Sequence, residues 1–267
     1  MKKTLILGCS FLNGAYTSYD TPIPGTSWVS SLDNSKFDAF SFSGHGIITW
    51  IEFINYLVEI DKIKEYDRVI VQHSTEPRIV AHNWNKVKDN TTVHIKDVFD
   101  LMLRIRKKQS NLKNIIDYNY MYKSAYSDFN GYSLGIFSIH RHEKYLEKFS
   151  ESSKSAILEY FMDIDDLFRR GDTLNIVSDA FNAYLRLVIE KLGLSYIPLF
   201  WYGRTAGGNH ATDEDFVVIE EVTKVLGITE KEWYENTNKV GHNNLEQARK
   251  VNPIILEYLD LQRDINE

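Results

Sequence analysis

A chain of 267 residues with a single cysteine, Cys9, has no internal disulfide framework and no cysteine-built zinc centre. Long apolar runs are missing too. No window approaches the roughly 18 apolar residues that a membrane span needs. Residues 1–20 do not read as a signal peptide, because the apolar stretch Leu5–Leu7 is too short and Tyr and Asp follow soon after. Basic charge is in deficit: 31 Lys and Arg face 37 Asp and Glu, a formal net charge of −6, which argues against nucleic acid as the global partner. No internal repeat is visible. These absences make a cytoplasmic protein without a membrane partner the default expectation. They say nothing about oligomeric state or later release, for instance in a virus particle.

What is present is a globular composition. Apolar residues make up 43% and charged residues 25%, enough of the first to build a full core and too balanced for disorder as the main state. The segment KKTLILGCS reads as a short buried strand running into a tight turn. Residues 36–43, KFDAFSFS, are strand-like and end at Gly44-His45-Gly46. The stretch 47–63 has apolar positions at helical spacing, and a strand at Val69–Val71 then meets a polar loop closed by Pro77 and Arg78. TLNIVSDAF predicts a strand at 173–178 followed by a helix through Leu192. A last strand at 195–203 precedes the loop RTAGGNHATDEDF and a helix over 216–226.

Such alternation predicts a three-layer α/β/α fold with a mostly parallel, flavodoxin-like central sheet, whose ligand crevice lies beyond the carboxyl ends of the strands. The reading is one domain over 1–267, with a helical insertion at about 85–170 and a helical tail at about 228–267. Within the insertion, RIRKKQSNLK and RHEKYLEK read as solvated, charged helix faces.

The loops after the strands collect the candidate chemistry: Gly8-Cys9-Ser10, Ser43-Gly44-His45-Gly46, His73-Ser74-Thr75-Glu76 and Gly207-Gly208-Asn209-His210. Ser10 and His210 form a nucleophile and base if the fold closes about 200 residues of chain, since a serine hydroxyl attacks only when a base takes its proton. Backbone N–H groups near Gly44 are suited to a developing oxyanion. Taken alone, Ser10 also fits a turn or helix cap, and Cys9 fits a small buried side chain. His45 and His73 read as site-lining or structural residues. Glu76 and Arg78 either bind polar groups of a substrate or pair with each other.

The order of these blocks resembles the SGNH (GDSL-type) hydrolase superfamily. The Gly-Asp-Ser block matches LILGCS with Cys9 in place of aspartate, and the block ending in a glycine matches FSFSGHG at Gly44. The Gly-x-Asn-Asp block matches DRVIVQHSTEP, with Ser74 for glycine and Glu76 for asparagine. The Asp-x-x-His block matches GGNHATDEDF, with Gly207 for aspartate. GCSF, VIVQ and a following arginine are most similar to a divergent branch of tailed-phage and virus genomes.

The resemblance implies an esterase without a cofactor or metal. Ser10 would be the nucleophile, His210 the base, and the N–H groups of Ser10 and Gly44 the oxyanion hole. His45, Ser74, Glu76, Arg78 and Asn209 would line the site for a small-molecule or carbohydrate ester. The departures at Glu76 and Gly207 motivate an alternative, a degenerate ligand- or protein-binding module. A third reading, a metal-dependent hydrolase, would use His45, His73 and His210 with a carboxylate.

Overall fold

A computed structural model describes residues 2–18, 21–43, 47–73, 78–82, 95–117, 131–135, 151, 155, 173–201, 215–237 and 242–261. Its centre is an all-parallel sheet of five strands. These are β1 (Lys3–Gly8), β2 (Phe37–Ser41), β3 (Tyr66–His73), β5 (Ile116–Asp117) and β7 (Ser195–Phe200), in the order β5-β2-β1-β3-β7. Leu5, Ile6 and Leu7 of β1 and Val69, Ile70 and Val71 of β3 are all buried, as expected of strands covered on both faces.

One helical layer is built from α1 (Ile47–Glu59), α2 (Ile95–Lys108) and α3 (Thr173–Lys191), with α1 touching both of the others. Trp50, Phe53, Ile54 and Leu57 recur at helical spacing on α1 and are buried. The other layer contains α4 (Val218–Leu226), α5 (Glu230–Glu235), α6 (Leu245–Tyr258) and a short 3-10 segment at Trp28–Ser31. The expected three-layer α/β architecture is therefore present.

Three local expectations need correction. Residues 173–178 are not a strand; they open α3, which runs unbroken through Lys191. Thr, Ile and Val made that short run look β-prone, but no glycine or proline separates it from Phe181, Leu185, Val188 and Ile189. Those four fall at i, i+4, i+7 and i+8, the pattern of one helical face, and Leu185 and Ile189 are fully buried. The middle of the chain is also not purely helical. β5 occupies the sheet edge beside β2, and β4 (Arg78–His82) pairs antiparallel with β6 (Gly131–Gly135). Arg78 thus begins a strand and does not close a loop.

Finally, the basic run is not all solvated. Arg104 pairs with Asp100 on the surface, but Arg106 is buried. Its Nε lies 2.8 Å from Asp38 Oδ1, and its Nη2 donates to the carbonyl of Phe37 at 3.0 Å. Tyr66 donates its hydroxyl to Asp38 Oδ2 at 3.0 Å, and burial beside that carboxylate pushes the phenol well above the usual tyrosine range. α2 itself packs Val98, Phe99 and Met102 into the main core, because its apolar stripe faces the same interior as α1.

Candidate functional site

In a sheet of this order the chain turns to opposite sides after β1. The crevice of such a fold opens at the carboxyl ends of the strands flanking that switch. Gly8 ends β1 there, and the chain then folds back as a 3-10 turn over Ser10–Asn13. A Cβ at Gly8 would stand 2.9 Å from Leu12 Cβ and 3.2 Å from Gln72 Cβ, so glycine permits the turn to press against β3. Gly14, at φ +87°, then reverses the chain where a Cβ would meet Ser27 N at 2.4 Å.

This geometry separates the two adjacent candidates in GCSF. Cys9 is fully buried in the hydrophobic core, while its carbonyl accepts from Leu12 N–H and Ser41 Oγ. Ser10, with 6% of its surface exposed, turns its hydroxyl to an imidazole: His242 Nε2 lies 2.8 Å from Ser10 Oγ. With the imidazole proton on Nδ1, Nε2 accepts the serine proton, which is the pairing that activates a serine.

Several contacts fix His242. It stands just before α6, whose N-terminus is closed by a capping box between Asn244 and Gln247. The ring of Tyr16 stacks on its imidazole with centroids 4.1 Å apart and planes 14° apart. Phe11 meets it edge-on at 5.3 Å and itself stacks on Trp201, the residue after β7. The backbone N–H of Tyr16 donates to the Asn243 carbonyl at 2.8 Å, tying the two loops together.

Beside the pair lies a polar network anchored by Asp117 at the end of β5. Its Oδ2 accepts from Asn13 Nδ2 at 2.8 Å and from the Ser43 hydroxyl in a short contact, and it lies 2.9 Å from Ser41 Oγ, whose one proton it shares with the Cys9 carbonyl. Asn13 Nδ2 also lies 3.0 Å from Tyr16 Oη and 3.0 Å from Ser43 Oγ, so its two hydrogens serve three acceptors. Tyr16 passes the chain on by donating to the Ser10 carbonyl at 2.8 Å.

His73 has a different part. It is buried, stacked on Phe200 at 4.7 Å, with Nε2 2.8 Å from Tyr196 Oη. Burial holds its pKa down to about 3, from an ordinary 6.5, so the ring is neutral and structural. The unfolded chain therefore takes up a proton that the folded protein refuses until the pH reaches about 3. Stability is expected to hold above neutral pH and to fall on acidification through that window by about 1.4 kcal/mol per unit. Urea unfolding at about pH 7.5 and about pH 5 should show a smaller loss in His73→Gln than in the parent. Equal losses would remove His73 as the cause.

Of the residues singled out in the sequence, Ser10 is thus brought into a catalytic-type contact. Gly44, His45, Ser74, Glu76, Gly207, Asn209 and His210 lie outside the described residues, as does the side chain of Arg78. The imidazole found at Ser10 belongs to His242, in the segment read only as a polar tail. The reading of His210 rests on the loop after the last strand and on the Asp-x-x-His resemblance, neither of which marks His242, two residues ahead of the Asn244 and Gln247 capping pair. Asn13, Tyr16 and Asp117 carried no comparable pattern.

Among the described residues, no three His, Cys, Asp or Glu side chains converge as a metal site, and no helix is long and apolar enough to cross a membrane. No family model, no curated protein and no solved structure matches the chain.

Proposed function

We propose that the protein is a serine esterase or acylhydrolase of the SGNH type, with Ser10 as nucleophile and His242 as general base. The observation that carries this reading is the 2.8 Å contact between His242 Nε2 and Ser10 Oγ at the carboxyl edge of a parallel sheet. Ser10 Oγ attacks the ester carbonyl as His242 takes its proton, giving a tetrahedral intermediate. The first N–H groups of a helical turn lack intrahelical acceptors. The Ser10 N–H, joined by that of Gly44 in the family pattern, stabilises the oxyanion. The imidazolium returns its proton to the leaving alcohol, and water repeats the sequence on the acyl-enzyme. The substrate class in this reading is a small-molecule or O-acylated carbohydrate ester, and a cytoplasmic or virion location belongs to the same reading.

A fluorophosphonate probe tests this directly, because it forms a covalent bond only with an activated serine. Labelling of the parent at Ser10, lost in Ser10→Ala, is the expected outcome. Absence of labelling in folded parent protein would reject the hydrolase and favour a module that binds a ligand without turnover.

A further inference from the structure

We propose that Tyr16 is a positioning residue that holds the two halves of the Ser10–His242 pair in line. This rests on reading Ser10 and His242 as nucleophile and base. Tyr16 is the one side chain among the described contacts that grips both. Its hydroxyl donates to the carbonyl of Ser10 at 2.8 Å, which sets the backbone from which Oγ projects. Its ring covers the face of the His242 imidazole at 4.1 Å, and its own N–H holds the neighbouring Asn243 carbonyl at 2.8 Å.

The hydroxyl is itself anchored. Asn13 Nδ2 donates to it at 3.0 Å while also contacting Asp117 Oδ2 at 2.8 Å, so β5 braces the tyrosine from behind. Burial, reinforced by the charge of Asp117, pushes the phenol far above its ordinary range and keeps it a donor. The ring has a second consequence. When His242 takes the serine proton it becomes a cation, and an aromatic face in near-parallel contact favours that charge. An ordinary core tyrosine would need neither the bond to Ser10 nor the stack on its base.

The test compares Tyr16→Phe, which keeps the ring, with Tyr16→Leu, which loses both ring and hydroxyl. Fluorophosphonate labelling rates are measured on protein shown by thermal melting to be folded at the assay temperature. Hydrolysis of p-nitrophenyl acetate then separates kcat from KM. Tyr16→Phe is expected to label about 10-fold more slowly and Tyr16→Leu about 100-fold more slowly, the scale of a small misplacement of reacting groups. The loss should appear in kcat, with KM within about twofold.

A purely structural tyrosine would lower the melting temperature and leave the labelling rate of folded protein unchanged. Parental-rate labelling by folded Tyr16→Phe overturns the assignment, and it decides alone if Tyr16→Leu does not fold. A Tyr16→Phe protein that fails to fold would also overturn it. If the parent is not labelled at all, the hydrolase reading has failed and this inference falls with it.

Discussion

His242→Ala is expected to cut ester hydrolysis by about 10⁴- to 10⁶-fold, to nearly the level of Ser10→Ala, with the double variant scarcely worse. In the proposed mechanism the two side chains act as one unit: a serine hydroxyl without its base stays protonated, and a base without its nucleophile has nothing to activate. Their contact at 2.8 Å makes this non-additivity the sharpest property of the site. Turnover of p-nitrophenyl acetate by the four proteins, parent included, closes the cycle. The same change at His210 decides between the two histidines that precede helices. A large loss at His210 with little effect at His242 would exchange their roles and reject the assignment made here. Because His242 is only partly buried, its removal leaves no large cavity, and the melting temperature should move far less than the rate.

The second large effect lies at the opposite end of the sheet. Asp38→Ala is expected to destabilise the fold by about 3–5 kcal/mol, a large part of the roughly 5–15 kcal/mol that holds typical domains together. Asp38 and Arg106 have side-chain exposures of 8% and 5%, so removing the carboxylate strands a guanidinium where water cannot reach it. Tyr66 loses its acceptor in the same stroke, and Lys3, at 3.3 Å, its partner. Urea unfolding should show the loss, and replacing both charges by apolar residues of similar volume should recover much of it. A change below about 1 kcal/mol in Asp38→Ala would mean that the pair is solvated. Asp38 sits three residues before Ser41 along β2, about 10 Å at strand rise, so the folded fraction should still accept the fluorophosphonate.

Much of the architecture was legible because burial on both faces of a parallel sheet writes itself into short stretches. TLILG and RVIVQ announce β1 and β3 by their apolar content and FDAFS announces β2 by its alternating pattern, while the succession with α1 announces the layering. The same local logic failed at 173–178, where a few β-branched residues carried no information about the helix that continues beyond them. It failed again at Ile116–Asp117, since two residues cannot display a period. Arg106 looked like its neighbours in a basic run, and only the approach of Asp38 from β2 distinguishes it.

The site divides in the same way. Its place after β1 and the turn at Gly8 follow from the order of residues near the amino end, where an apolar strand must stop. The choice of Ser10 over Cys9 rests on the resemblance, and the structure separates the two by burying Cys9 and setting Ser10 against His242. Which imidazole meets Ser10 is a different kind of fact. Residues 10 and 242 are joined by the packing of α6 into the main core, by the Tyr16 stack and by one backbone bond to Asn243. That contact forms only when the core closes, because proximity across 232 positions is set by which apolar faces bury each other and not by any spacing along the chain.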